Sequence, residues 1–99
     1  NFFGHQLSAH LVEKMPDVPH NLVDGKKIPV AHFGVVLKPD QWILLRDKLA
    51  NKGITFLIEP YIRFEGQIGE QGTFFILDPA GNGLEFKMFQ SDDMIFEHA

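Results

Sequence analysis

Phe74-Phe75-Ile76-Leu77-Asp78-Pro79-Ala80-Gly81-Asn82-Gly83-Leu84-Glu85-Phe86-Lys87 decides the fold of this chain. Two β-rich runs flank a connection rich in Asp, Pro, Gly and Asn, the residues that tight turns demand, so the stretch reads as strand, turn, strand. The strands cover Thr73 to Leu77 and Leu84 to Phe89. Strand side chains alternate, which puts Leu84, Phe86 and Met88 on one face and Glu85, Lys87 and Phe89 on the other. Upstream, Glu65 to Gly72 carries Gly66, Gly69 and Gly72 and reads as a mobile loop, a lid hinge or a plain surface hairpin. Ile54 to Phe64 is β-rich but holds Pro60, which cannot donate to a ladder, so two short strand pieces around a bulge, bend or edge are expected. Pro39 and Asp40 start a helix over about residues 39 to 52, with Trp42, Leu45 and Leu49 as its apolar stripe, Lys48 and Lys52 at its negative end and Gly53 beyond it. Val30 to Leu37 reads as an interior strand. From Val30 the order is β-α-β-β-β, an α+β class module.

Before Val30 the pattern is less regular. Phe2 to Val12 combines a turn signal at Gly4-His5 with Leu7, Ala9 and Leu11 alternating with polar residues, and reads as a strand. Glu13 to Pro29 contains Pro16, Pro19, Pro29 and an Asp24-Gly25 turn signal without a sustained period. It reads as a linker, and its length suggests that it joins two structural units. The expected organisation is residues 1–12, a linker over 13–29, the module over 30–90, and a polar tail over 91–99 with Met94, Ile95 and Phe96 available for docking.

Ninety-nine residues suit a single small domain, and 44% hydrophobic residues with ten Phe supply a core. The formal charge is −4, with no basic stripe suited to phosphates, which argues against nucleic acid. Apolar runs are strand-sized, far below the roughly 20 residues of a membrane span. Cysteine is absent, which excludes thiolate nucleophiles and zinc-thiolate sites. No secretory signal opens the chain, so a soluble, cytoplasmic protein is expected. The glycines do not follow a strand-turn-helix order, so no nucleotide cofactor is expected.

Parity also brings out a pair. Phe33, Val35 and Leu37 share one face of their strand and should meet the helix, leaving His32, Gly34 and Val36 opposite. If both apolar strand faces pack on one helix, His32 and Glu85 lie on the same side of the sheet. An imidazole and a carboxylate on rigid strands suit a divalent metal, although polar residues on a solvated sheet face are equally ordinary.

Ala31 to Leu37, the following helix, and Phe74 to Lys87 together resemble the second β-α-β-β-β module of the vicinal oxygen chelate superfamily, which includes glyoxalases, bleomycin-resistance proteins and extradiol dioxygenases. The resemblance covers about two thirds of the chain, and its most specific element is Asp78-Pro79-Ala80-Gly81-Asn82-Gly83-Leu84-Glu85. It implies that His32 and Glu85 occupy the first-strand and fourth-strand ligand positions. Gly4 to Leu11 can be laid over Gly81 to Met88, as the last strand or hairpin of an incomplete first module. Ser8 then falls where Glu85 stands, and His10 follows on the same face as a replacement ligand, a hydrogen-bonding neighbour or a plain strand histidine. Ser8 cannot supply the acidic ligand usual in glyoxalase I, which modestly favours the extradiol-dioxygenase arrangement.

The resemblance implies Fe(II) or Mn(II), a small-molecule substrate with adjacent oxygens, and octahedral ligation. Tyr61, Arg63, Glu70 and Gln71 border the expected cavity; Tyr61, Arg63 and Gln71 are candidates for substrate binding, Arg63 for an anionic group. His5, His20 and His98 receive no role. The alternatives are a metal-free binding protein of the bleomycin-resistance type, which generally lacks such ligands, and an inactive fragment. Family modules pair around one cavity. The expectation is therefore that a missing first module lies in a longer protein, or that the chain forms a homodimer in which residues 2–12 pair across the interface.

Overall fold

Helix α1, Pro39–Asn51, forms where the Pro-Asp start and the Trp42, Leu45, Leu49 stripe place it. The Gln41 side-chain oxygen accepts the Lys38 backbone N–H at 3.2 Å. At the other end Gly53, with φ +77°, donates to the Ala50 carbonyl while Ile54 donates to Leu49, closing the helix in a Schellman arrangement. The computed structural model describes residues 1–15, 17, 19–91, 93 and 95. Around α1 it places strands β1 His20–Val23, β2 Lys26–Pro29, β3 His32–Leu37, β4 Ile58–Arg63, β5 Gln71–Leu77 and β6 Gly83–Phe89. The expected docking of Met94 and Phe96, and His98, lie outside the described residues; Ile95 is half-buried. Among the described residues no helix is long and apolar enough to cross a membrane.

From Val30 onward the order is the expected β-α-β-β-β. Strands β3 to β6 form one sheet in the order β3-β6-β5-β4, with β3 parallel to β6 and the other pairs antiparallel. Strand β3 therefore ends the sheet and is not the interior strand that its apolar run suggested. The run is explained by the faces instead: Leu37 is buried and Val35 packs on the core beneath the helix, whereas Val36 on the other face is 46% exposed. Pro60 sits in β4 where the pairing with β5 shifts between Ile58 and Tyr61, so one bulged strand replaces the two pieces expected. The bulge keeps Ile58 and Tyr61, three residues apart, on the same face.

The helix side of the sheet holds the main core: Leu37, Trp42, Phe74, Phe86 and Met88. Phe74 and Phe86 stack with centroids 5.3 Å apart, and Phe56 meets Phe74 edge-on. Trp42 is 1% exposed and donates its indole N–H to the Phe86 carbonyl at 2.9 Å, fixing α1 to β6. Gly72 lies inside β5, where an added Cβ would stand about 3.0 Å from Met88 and 3.1 Å from Trp42. It is a packing glycine and not a hinge. The Glu65–Glu70 loop is folded on itself: Gln67 donates to Phe64, Glu70 to Gln67, and the Glu70 carboxylate accepts the Gly66 N–H at 2.8 Å.

Two expectations before Val30 need correction. Residues 20–29 are not linker but a β1–β2 hairpin, turning at Asp24 and Gly25, both with positive φ. It was hidden because its stability comes from distant contacts: Val23 and Ile28 pack with Ile58, Phe75 and Tyr61 on the side of the sheet away from α1. Residues 6–12 form no strand; Phe2 and His5 make only an isolated bridge around Phe3-Gly4. Phe2 and Phe3 pack on Phe33 and Phe86, but Leu7, Leu11 and Val12 remain exposed. A strand exists only with a neighbour for its backbone groups, and the described residues provide none here.

Candidate metal centre and its cavity

The face of the sheet opposite α1 is assembled by register. His32 stands beside Gly83 and Gly34 beside Glu85 across the β3–β6 pair. Phe75 stands beside Glu85, Thr73 beside Lys87 and Gln71 beside Phe89 across β5–β6, while Tyr61 and Arg63 oppose Thr73 and Gln71 across β4–β5. His32 and Glu85 are thereby brought within 3.3 Å, Nε2 to Oε1.

Each member of this pair is held from behind. The His32 Nδ1 lies 2.7 Å from the Pro29 carbonyl, which can only accept, so Nδ1 carries the proton and Nε2 points at Glu85. The ring also meets Phe75 edge-on at 5.0 Å. Glu85 receives the Thr73 hydroxyl on Oε2 at 2.7 Å, with Lys87 Nζ 3.8 Å away. A neutral imidazole would then direct a lone pair at a carboxylate. Both atoms are donors to a cation, and this donor set, with neighbouring groups orienting both side chains, fits a divalent ion.

The pair opens into a cavity of about 140 Å³ lined by Val23, Ile28, His32, Tyr61, Arg63, Thr73, Phe75, Glu85 and Lys87. A larger hollow of about 680 Å³ runs along the open edge of β3, but His5 is its one titratable lining residue. The titratable side chains gather instead in the smaller cavity. Two of its lining residues reach Asp24 in the β1–β2 turn, whose carboxylate accepts from Tyr61 Oη at 3.0 Å and Arg63 Nε at 2.7 Å. The Tyr61 bond, followed by Arg63, holds the Asp24 carboxyl below its ordinary range, against some desolvation. Burial first, and Asp24 second, push the Tyr61 phenol up.

Tyr61 and Arg63 thus line the cavity, as their strand positions suggested. Gln71 does not; it is buried in β5 with its Nε2 on the Gly69 carbonyl and, among the described residues, its Oε1 without a donor. His10 lies in the amino-terminal arm beside a different hollow with Phe33, Asp78 and Asn82. Among the described residues no third His, Cys, Asp or Glu joins His32 and Glu85, so His10 is not brought to them within one chain. Sequence reasoning gave Thr73, Lys87 and Asp24 no role. Lys87 was signalled by its place two residues beyond Glu85 on the same face, and Thr73 by its register opposite Lys87; the reach of Asp24 across 37 residues had no local signal.

The Asp78–Asn82 turn presents β6. Asp78 Oδ1 accepts the N–H groups of Ala80 and Asn82, and Oδ2 accepts the Asn82 side-chain amide at 2.8 Å. Asn82 foremost keeps this carboxyl below its ordinary range. The turn is therefore a self-contained device that delivers Glu85 to its place.

The crystal structure of a glyoxalase/bleomycin resistance protein/dioxygenase from Alicyclobacillus acidocaldarius is similar over 96% of this chain and 83% of its own, with a TM-score of 0.61 and 28% sequence identity. The chain shares the fold of that glyoxalase/bleomycin resistance protein/dioxygenase structure, the relationship its sequence resemblance implied. No family model and no curated protein matches it. The β-α-β-β-β order and the parallel β3–β6 pair are the vicinal oxygen chelate module, here preceded by the β1–β2 hairpin.

Proposed function

We propose that this chain is a metal-dependent, glyoxalase- or dioxygenase-like enzyme or a module of one, in which His32 and Glu85 are two ligands of a divalent ion, Fe(II) or Mn(II). The observation that carries this reading is the orientation of the pair: the Pro29 carbonyl and Thr73 hydroxyl turn Nε2 and Oε1 toward each other at 3.3 Å. The bound ion would chelate adjacent oxygens of a small substrate and act as a Lewis acid. Pro29 and Thr73 hold the ligands; Phe75, Val23 and Ile28 limit water; Tyr61 and Arg63 position the substrate. A metal-free drug-binding role has less support, because it would not require this orientation.

Two ligands leave the coordination sphere incomplete, so the remaining ligands come from a second module. A second copy of this chain supplies it in our reading, with residues 2–12, a remnant of a first module, exchanged between copies. The open edge of β3 and the exposed Leu7, Leu11 and Val12 support this arrangement. Metal analysis of protein purified without chelator should show the ion in the wild type and its loss in His32→Ala and Glu85→Gln. Equal metal in all three refutes the reading. Sedimentation should show a dimer that dissociates when residues 1–12 are deleted; a well-folded wild-type monomer refutes the exchange.

A further inference from the structure

The cavity beside His32 and Glu85 has an unusual charge arrangement. Arg63 and Lys87 both line it against the single carboxylate of Glu85. Glu85 is already engaged by Thr73 and faces His32, so it only partly balances Lys87, whose Nζ is 3.8 Å from Oε2. Among the described residues Lys87 Nζ has no hydrogen-bond partner. Arg63 directs Nε at Asp24, which belongs not to the sheet but to the tip of the β1–β2 hairpin. The local charge is therefore balanced by a carboxylate attached to a separate element. Arg63 is 21% exposed at its side chain and Asp24 42%, so water and solutes reach the pair from outside. The remaining walls, Val23, Ile28 and Phe75, are apolar.

We propose that this cavity recognises a small carboxylate-bearing molecule, held by Arg63 and Lys87, and that Asp24 is its built-in competitor. The inference deepens the function proposed above by naming the substrate class, and it rests on that reading only for the chemistry that follows binding. The Asp24 carboxylate shows which group the Arg63–Tyr61 side accepts: a single planar anion taking the Arg63 Nε–H and the Tyr61 hydroxyl on one oxygen. An entering carboxylate takes over Arg63, gains Lys87, and lays its apolar part against Phe75 and Ile28. Asp24 is released, and the hairpin loses its carboxylate tie to β4 while Val23 and Ile28 keep their contacts and Lys26 stays over the Tyr61 ring. A cavity of about 140 Å³ has the volume of roughly four or five waters, which restricts the ligand to a carboxylate with a short or flat apolar part.

Benzoate is a suitable probe, with benzyl alcohol as its uncharged counterpart, each titrated into full-length protein freed of metal by dialysis and followed by NMR. Benzoate should bind and shift the amides of Asp24, Tyr61, Arg63 and Lys87, and benzyl alcohol should not. Arg63→Gln and Lys87→Gln should each weaken benzoate by about tenfold or more, and Asp24→Asn should tighten it several-fold because the competing charge is gone. Amide spectra of the three variants establish that each is folded. Absence of benzoate binding by both the wild type and Asp24→Asn overturns the proposal. So does equal affinity in the folded Arg63→Gln and Lys87→Gln proteins, or binding of inorganic phosphate in place of benzoate. Because the protein is metal-free, benzoate binding that persists in a chain with no metal affinity refutes the metal reading alone, and metal binding without benzoate binding refutes this inference alone.

Discussion

On the helix side of the sheet Phe74, Phe86 and Met88 are each under 5% exposed and lock against Trp42, whereas one residue along the same strands Thr73, Glu85 and Lys87 face a small polar cavity. The same two strands, β5 and β6, therefore serve two chemistries, separated only by strand parity. Apolar burial on the first face fixes where the backbone runs; hydrogen bonds and charge on the second then operate from a rigid floor. The comparison teaches that the cavity's geometry is set from behind, by groups that never touch a ligand.

Substitutions can break this division. The largest effect is expected from Trp42→Ala, which removes a fully buried ring and the bond to the Phe86 carbonyl; a loss of about 3–5 kcal/mol in denaturant unfolding is expected. Next is Gly34→Ala, because an added Cβ would fall on the backbone carbonyl of Glu85. Unfolding should show a loss of about 1–3 kcal/mol, and metal affinity should fall with it as Glu85 is displaced. Thr73→Val keeps the shape but removes the hydroxyl bonded to Glu85. Stability should drop by about 1–2 kcal/mol, while metal affinity falls roughly tenfold or more, separating the cavity face from the core. A stability loss without any change in metal affinity would place Thr73 with the core residues instead.

The smallest effect concerns pH. Asp24 is held below its ordinary range in the fold, so the unfolded chain binds its proton more readily. Its contribution is complete above the ordinary carboxylate pKa of about 4 and is lost as pH falls through the depressed value. Hydrogen exchange should show the Leu22–Lys27 amides losing protection in that acid range, and Asp24→Asn should remove the dependence. Asp78 is depressed as well and titrates nearby in pH, but its partners are confined to its own turn, so the variant separates the two.

What was legible in the sequence followed from local chemistry. The Asp78–Asn82 turn, the α1 ends and the alternation of Leu84, Phe86 and Met88 each depend on near neighbours, and they were enough to place His32 and Glu85 on one side. The β1–β2 hairpin was missed because Val23, Ile28 and Asp24 are held by β4 and β5, far along the chain. Residues 6–12 failed in the opposite sense: their alternation is genuine, but a strand also requires a neighbouring backbone. Lys87 and Thr73 could have been found by carrying parity one position further in each direction.

The parallel β3–β6 pairing also has a consequence in time. Strands β5 and β6 are joined by the Asp78–Asn82 turn, whereas β3 reaches β6 only after the helix, β4 and β5 have intervened. Chain-closure entropy grows with the length enclosed, so the local hairpin forms readily and the parallel pair closes late. His32 stands on one side of that last seam and Glu85 on the other. In a refolding experiment the His32 ring resonance would therefore act as a completion signal, reaching its native position only when the final strand has joined the sheet.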